Sequence, residues 1–258
     1  MVIRAQNHLR DWRRLPSDHL LALLNDYLAS RIPGAWLKSQ ALPLAPQLSL
    51  YLINDDYPRN GLEPAQVEAL MDNPPYWGFC WGSGQALARW LLDNPKAVTG
   101  KTVVDFGAGS GVAGIAAAMA GAAQVILCDQ DELALAASRL NTHLNGIQPD
   151  FSTSLEATLR ELDAKGQRHE RLVLVADVFY DRDNLPLLPL LLENFDTVVV
   201  ADSRLKGQPL PGMAIFGTVA SHTVPDLDES VEFNRITLYH STARHAINPV
   251  SVEANQTA

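Results

Sequence analysis

The sequence predicts an α/β fold: a doubly wound, mostly parallel sheet flanked by helices, with a helical extension at its amino end. Three observations predict it. Residues 102–121 (TVVDFGAGSGVAGIAAAMAG) run as apolar strand, acidic residue, glycine turn and small-residue helix, the unit that brings backbone against a ligand at the carboxyl end of a parallel strand. Residues 124–128 (QVILC) form a second apolar strand that ends at Asp129. Further apolar runs at 171–176 and 197–201 also end at an acid, with helix-periodic segments between them, which is the alternation of a parallel sheet.

The glycine turn carries the first candidate site. Asp105 stands where strand gives way to loop and supports the turn, and Gly107, Gly109 and Gly111 alternate with Ala108 and Ser110. No large side chain then comes between backbone and ligand. A dinucleotide fingerprint, G-x-G-x-x-G, needs glycine at position 112, where Val112 stands. Asp129, at the tip of the second strand, offers two acceptor oxygens that suit both hydroxyls of a ribose, with Asp131 as second candidate. Leu133, Ala136, Ala137, Leu140 and Leu144 then recur at helical spacing up to Gly146. The arrangement predicts a nucleoside-containing cofactor; its alternative is a tight structural turn.

Composition bounds the rest. With 258 residues, 47% of them hydrophobic, the chain can bury one sizeable catalytic domain plus an extension. A formal charge of -9 disfavours nucleic acid, whose binding rests on lysine and arginine. Cys80 and Cys128 are the only cysteines and have no metal-ligand spacing, so neither a disulfide framework nor a metal site is expected. No apolar run reaches the length of a membrane span and no secretory core begins the sequence, so no membrane partner is expected. Arg4, Arg10, Arg13 and Arg14 could mimic a mitochondrial presequence, but Asp11 and Asp18 interrupt it. The expectation is a cytoplasmic protein.

In chain order, residues 1–31 read as helix, with Leu15, Leu20, Leu23, Leu24 and Leu28 in register and a start signal at Pro16-Ser17. Residues 48–53 suggest a short strand and 63–71 a helix. The aromatic stretch 76–85 (YWGFCWGSGQ) leads into a helix at 86–92. Residues 151–153 suggest a minor strand and 154–167 a polar helix. The buried strand 171–176, fourth by count, ends at Asp177-Val178-Phe179-Tyr180, and a helix at 185–192 precedes the fifth strand, which ends at Asp202-Ser203-Arg204. Segments 213–217 and 235–240 suggest a closing antiparallel pair. The acidic stretch 226–229 reads as a solvated loop, 251–258 as a frayed tail, and His143 as a surface or packing residue.

These motifs resemble a known family. The G-x-G-x-G spacing with Asp129 is similar to the first motifs of class I S-adenosylmethionine (SAM) methyltransferases. Trp77, Trp81, Gly84 and Leu87 resemble the W-x-x-x-W-x-x-G-x-x-L segment, and Asp177 to Tyr180 the D/E-x-x-Y motif, of the branch containing the electron-transfer flavoprotein β-subunit lysine methyltransferases. The resemblance covers roughly residues 72–205. Ribosomal protein L11 methyltransferases share the sheet and glycine turn but carry an N-x-x-x motif after the fourth strand, so Asp177 favours the lysine branch. Asn73-Pro74-Pro75-Tyr76 looks like the signature of adenine-N6 and glutamine-N5 methyltransferases, but it follows a helix rather than a strand and is read as coincidence.

The resemblance implies a seven-stranded Rossmann-like methyltransferase sheet, with an extension at 1–74, a methyltransferase domain at 75–245 and a tail at 246–258. It implies SAM as cofactor and S-adenosylhomocysteine as product, held by Trp81, Ser83, Gly84, Asp105, Gly107, Gly109, Gly111, Asp129 and Asp177. Asp177 and Tyr180 become the catalytic candidates, the carboxylate orienting an ammonium and the tyrosine supplying a hydroxyl and a ring face. The implied partner is a protein presenting a lysine, such as the electron-transfer flavoprotein β-subunit; no oligomeric state is implied. Where related enzymes often have D-P-G-R, Asp202-Ser203-Arg204 matches only in part. The residues leave open a small-molecule N-methyltransferase or a non-catalytic binding subunit of the same fold. They also leave open Asp177 as a helix cap, Tyr180 as core, and Trp77 and Trp81 as core filling.

Overall fold

The apolar runs form the strands of one sheet, and the periodic segments between them form its covering helices. The structure, a computed structural model, describes residues 9–57, 67, 70–164, 166, 170–179 and 181–242. From the amino end, a 3₁₀ turn (Leu9–Arg14) and helix α1 (Ser17–Arg31) lead to an antiparallel hairpin of β1 (Leu37–Ala41) and β2 (Ser49–Ile53). Helix α2 (Gly82–Asp93) then precedes β3 (Thr102–Phe106), α3 (Val112–Met119), β4 (Gln124–Cys128) and α4 (Glu132–Leu144). The chain continues through β5 (Asp150–Ser152), α5 (Leu155–Ala164), β6 (Arg171–Ala176), α6 (Leu187–Asn194) and β7 (Thr197–Asp202). Strands β8 (Met213–Ala220) and β9 (Arg235–Ser241) follow.

Seven strands form the main sheet in the order β5-β4-β3-β6-β7-β9-β8. Strands β3 to β7 run parallel, and β9 lies antiparallel to both its neighbours. The order reverses between β3 and β6, so a crevice opens beyond the carboxyl ends of these two strands. Successive side chains leave a strand on opposite faces. Val103, Leu127, Leu172 and Val199 accordingly join the core beneath α2, α3 and α4, while Val104, Ile126, Val173 and Val198 join the one beneath α5 and α6. Covered on both faces, the parallel strands need apolar residues at every position rather than at alternate ones.

The sequence leads one to expect a helical amino-terminal extension, but the β1–β2 hairpin also lies within it. Its helical segment is also split at Leu15-Pro16, where proline cannot supply the N–H that would continue the 3₁₀ turn. Residues 1–8 lie outside the described residues, as does most of the helix expected at 63–71, of which 67, 70 and 71 are helical.

The hairpin does not join the main sheet, and side-chain amides serve its edges instead. Asn25 of α1 accepts the Leu37 amide at 2.7 Å. On α4, Asn141 accepts the Tyr51 amide at 2.7 Å, and Asn145 both accepts from Ser49 N and donates to Ser49 O, at 3.2 and 2.7 Å. One helical turn separates Asn141 from Asn145 and two strand residues separate Tyr51 from Ser49. These repeats, about 6 and 7 Å, match closely enough for a helix to stand in for a strand.

Helix α3 approaches β4 so closely that a methyl group on Gly114 would overlap Leu127 Cδ2 and come within 3.2 Å of Asp105 Oδ2. Leu127 is fully buried and has nowhere to retreat. Gly114→Ala is therefore expected to lower the unfolding free energy by about 1–3 kcal/mol, as read from urea denaturation.

Candidate functional site

Between β3 and α3 the backbone takes the left-handed conformation at every second residue, with φ of 71° at Gly107, 52° at Gly109 and 79° at Gly111. The turn folds onto the tip of β4. Gly107 N and Ala108 N both donate to Cys128 O, at 2.9 and 3.2 Å, Gly109 N donates to Asp129 Oδ2 at 2.9 Å, and Gly111 N to Ala108 O at 2.7 Å. Four of the amides that could have formed an anion nest are thus consumed internally, which leaves the turn fewer donors for a pyrophosphate. A methyl group on Gly109 would meet only Gly107 O, at 3.9 Å, so this glycine faces open space.

The three glycines differ in role. At Gly111 a methyl group would meet Ser138 Cβ at 2.9 Å, and at Gly107 it would meet Val178 Cγ2 at 2.9 Å. Gly111 therefore lets α4 approach, whereas Gly107 lets the segment after β6 approach. Only Gly109 has no packing reason to lack a side chain. Gly84, expected at the cofactor, lies inside α2, where a methyl group would be 2.8 Å from Val112 Cγ1. It brings α2 and α3 together, and Val112 fills the place that a dinucleotide fingerprint reserves for its third glycine.

Asp105 is 2% exposed and faces backwards, its Oδ2 accepting from Gly114 N at 2.8 Å. It serves the first turn of α3 from within the core and does not face the crevice. Burial pushes its carboxyl up to about 7; the Gly114 amide opposes this and the neighbouring Asp129 adds to it. Asp129 uses one oxygen for Gly109 N and the other for Asp131 N, each at 2.9 Å. Each oxygen keeps a lone pair for a further donor. Burial raises its pKa against those two amides. Asp131 caps α4, accepting from Leu133 N through Oδ1 at 2.8 Å.

Across the crevice, Asp177 follows β6 with a left-handed φ of 49°, a costly conformation for a residue with a β-carbon. Its Oδ1 accepts from Ser83 Oγ at 2.7 Å, Ser203 Oγ at 2.9 Å and Ser203 N at 3.1 Å. Asp177 is no helix cap: Asp181 caps the following 3₁₀ turn by accepting from Asp183 N. Burial raises the Asp177 pKa, while the two serines and the positive charge of Arg204 lower it. Ser83, expected beside the cofactor, spends its hydroxyl on this carboxylate. Tyr180 lies outside the described residues.

The aromatic stretch divides. Trp77 is buried against Tyr27, with ring centroids 6.2 Å apart, and is core. Trp81, half-buried, precedes α2, donates from Nε1 to Tyr76 O at 3.0 Å, and packs edge-on to Tyr76 and tilted to Phe79. Helix α2 starts four residues before the expected position, which carries Ser83 into its first turn. Asn73 donates to the Tyr27 hydroxyl at 3.1 Å, and Tyr76 of the same Asn-Pro-Pro-Tyr segment is exposed. A cavity of about 280 Å³ lined by Ala118, Gln124, Ile147 and Asp150 sits at the amino ends of β4 and β5, on the opposite edge of the sheet from the glycine turn.

Sequence reasoning missed Ser203 and Asn141. The Asn141 amide donates to Ser110 O at 2.9 Å, tying the glycine turn to α4 and through it to the hairpin. Its signal was a polar residue on the apolar face of a helix. The 226–229 stretch also differs from expectation: Glu229 accepts from Arg204 Nη2 at 2.8 Å and from Thr223 Oγ1 at 2.6 Å, while the Arg204 guanidinium lies 4.5 Å from the Phe233 ring centroid. This part of the stretch is pinned rather than solvated.

Strand order and crevice define the class: the seven-stranded, Rossmann-like methyltransferase fold. A solved structure from Streptococcus mutans assigned as a SAM-dependent methyltransferase superposes with a TM-score of 0.51 at 12% identity, covering 81% of this chain and 56% of that one. A methyltransferase solved with S-adenosylhomocysteine gives 0.50 over the same shares, also at 12%. Residues 86–181 match the family model for ribosomal protein L11 methyltransferase (PrmA). The chain is also 38% identical over 152 residues to the electron transfer flavoprotein beta subunit lysine methyltransferase of Mus musculus, covering 59% of this chain and 56% of that protein. The Caenorhabditis elegans homolog is 35% identical over 156 residues, 56% of this chain and 62% of the homolog. To the L11 methyltransferase of Vibrio cholerae the chain is 41% identical over 97 residues, 36% of this chain and 31% of that enzyme. The chain thus spans little more than half the length of the flavoprotein-methylating relatives it matches.

Asp105 makes stability depend on pH. With its carboxyl raised from 3.8 to about 7, the folded protein keeps a proton that the unfolded chain has lost. The resulting stabilisation is complete below about pH 4 and is lost as pH rises through about 7. Asp105→Asn removes the titration, so its stability relative to wild type should rise between about pH 5 and 8, by at most about 3 kcal/mol. Urea denaturation at the two pH values checks this.

Proposed function

We propose that the chain is a SAM-dependent N-methyltransferase acting on a lysine side chain of a protein, the electron-transfer flavoprotein β-subunit being the first substrate to test. The observation that carries the reading is Asp177, a strained and clamped carboxylate beside the glycine turn, within residues 86–181, which match the L11 methyltransferase family model. The division into an extension, a methyltransferase domain and a tail belongs to this reading. So does a reducing, cytoplasmic compartment, which suits the two buried thiols Cys80 and Cys128.

The residues at the crevice fit the cofactor. Gly109 leaves space where a side chain would stand, and Asp129 keeps lone pairs for ribose hydroxyls. Asp129, Asp131 and Asp177 give this edge a negative character suited to a cationic ligand and opposed to a phosphate. When bound, SAM supplies a methyl group already activated on a sulfonium. The protein's task is then alignment and exclusion of water. Gly109 and Asp129 would hold the nucleoside, and Trp81 would lie at the methionine end, where its ring face attracts a cation. A lysine acceptor must reach the site neutral, which costs about 4 kcal/mol at pH 7.4 from a pKa of about 10.4. Asp177 would draw in the ammonium form, orient it, and stabilise the positive charge that returns to nitrogen.

Two measurements test the proposal. In calorimetry the protein should bind SAM and S-adenosylhomocysteine saturably, and Asp129→Ala should weaken both by about tenfold or more. With labelled cofactor, a purified flavoprotein β-subunit should accept methyl groups, and Asp177→Asn should lower kcat/KM by about a hundredfold with S-adenosylhomocysteine affinity changed little. Labelling of small amines but of no protein would overturn the substrate class. Absence of cofactor binding would overturn the activity.

A further inference from the structure

Asp177 takes its conformation at a cost, and three donors from two elements that flank β6 hold it there. Ser83 comes from the first turn of α2, and Ser203 follows the last residue of β7. The strand ladder itself continues one step further, Asp177 N donating to Ala201 O at 3.0 Å. Ser83 is fully buried and Ser203 nearly so. All three bonds end on the same oxygen, Oδ1, at 2.7, 2.9 and 3.1 Å. Among the described residues no donor reaches Oδ2 in these bonds. Strain at a non-glycine residue that its surroundings over-determine points to a positioned group.

We infer that Ser203 is a positioning residue: its hydroxyl and amide, with the Ser83 hydroxyl, pin Oδ1 of Asp177 so that Oδ2 is presented to the acceptor ammonium. The inference rests on the proposed reading of Asp177 as the group that handles the acceptor. All three groups donate to Oδ1, which favours the ionised carboxylate. Arg204, whose charge also acts on Asp177, is the charged neighbour on the β7 side, and it is held by Glu229. On the β3 side Asp177 is followed by Val178, which packs on Gly107 and carries no charge.

Removing one of these donors should leave the cofactor side untouched and raise the pH at which Asp177 ionises. The test compares wild type with Ser203→Ala, which loses the hydroxyl but keeps the amide. Three readouts are taken: kcat/KM for the protein acceptor across pH, calorimetric affinity for S-adenosylhomocysteine, and the carbon-13 titration of the Asp177 carboxyl, assigned with Asp177→Asn. Expected are a fall in kcat/KM of about tenfold, an acid limb displaced to higher pH, a carboxyl resonance that titrates at higher pH, and cofactor affinity within about twofold. An Asp177 titration unchanged in Ser203→Ala would overturn the clamp. So would a loss of kcat/KM matched by an equal loss of S-adenosylhomocysteine affinity, since that describes a collapsed crevice. A wild type that transfers no methyl group while the titration still moves would keep the clamp and overturn its acceptor role along with the proposed function.

Discussion

The way the backbone leaves β3 constrains everything at the carboxyl edge. Three left-handed glycines in alternation curl the chain onto the tip of β4, where Cys128 O and Asp129 take up its amides. A turn closed this way cannot offer those amides to a ligand. Beside them stand acceptors: carbonyls, and the spare lone pairs of Asp129. Such a crevice suits a ligand rich in hydroxyls and positive charge better than a pyrophosphate. The burial of Asp105 beneath the turn follows from the same closure, because α3 must begin directly behind it and Gly114 N needs an acceptor there.

Much of this was legible in the sequence, and the reason lies in burial. Strands β3, β4, β6 and β7 are covered on both faces, so each is written as an apolar run that ends abruptly at a polar residue. Asp105, Asp129 and Asp177 stand at those ends, and their positions could be read directly. Strand β1 was not readable, because Lys38, Ser39 and Gln40 give a five-residue strand no apolar signature. The start of α2 was misplaced for the opposite reason. Gly82 and Gly84 are poor helix formers in isolation, yet both lie in the helix, and the close approach of Val112 requires glycine at 84.

The pieces that escaped the sequence are those that act over distance. Ser203 and Ser83 meet Asp177 across 26 and 94 residues, and no local spacing announces either contact. Glu229 stands in a run of acids that reads as solvated surface, but Arg204, 25 residues away, makes it a fixed part of the β8–β9 connection. The backbone of that connection also meets the aromatic stretch, Cys80 and Val224 exchanging two hydrogen bonds at 2.8 Å. The segment carrying Trp81 is therefore anchored from the far end of the chain, and the crevice is walled by residues that enter the sequence at widely separated points.

Asparagines 141 and 145 bear on how far this fold can be pared down. Asn141 is fully buried and spans Ser110 in the glycine turn and Tyr51 in the hairpin. A shortened chain beginning at β3 would keep every strand of the main sheet, yet it would remove the Tyr51 donor of Asn141 and bare the apolar face on which α1 and β2 rest. The extension is thus a supporting wall of the sheet rather than an appendage, and trimming for a minimal catalytic unit would have to redesign α4 first.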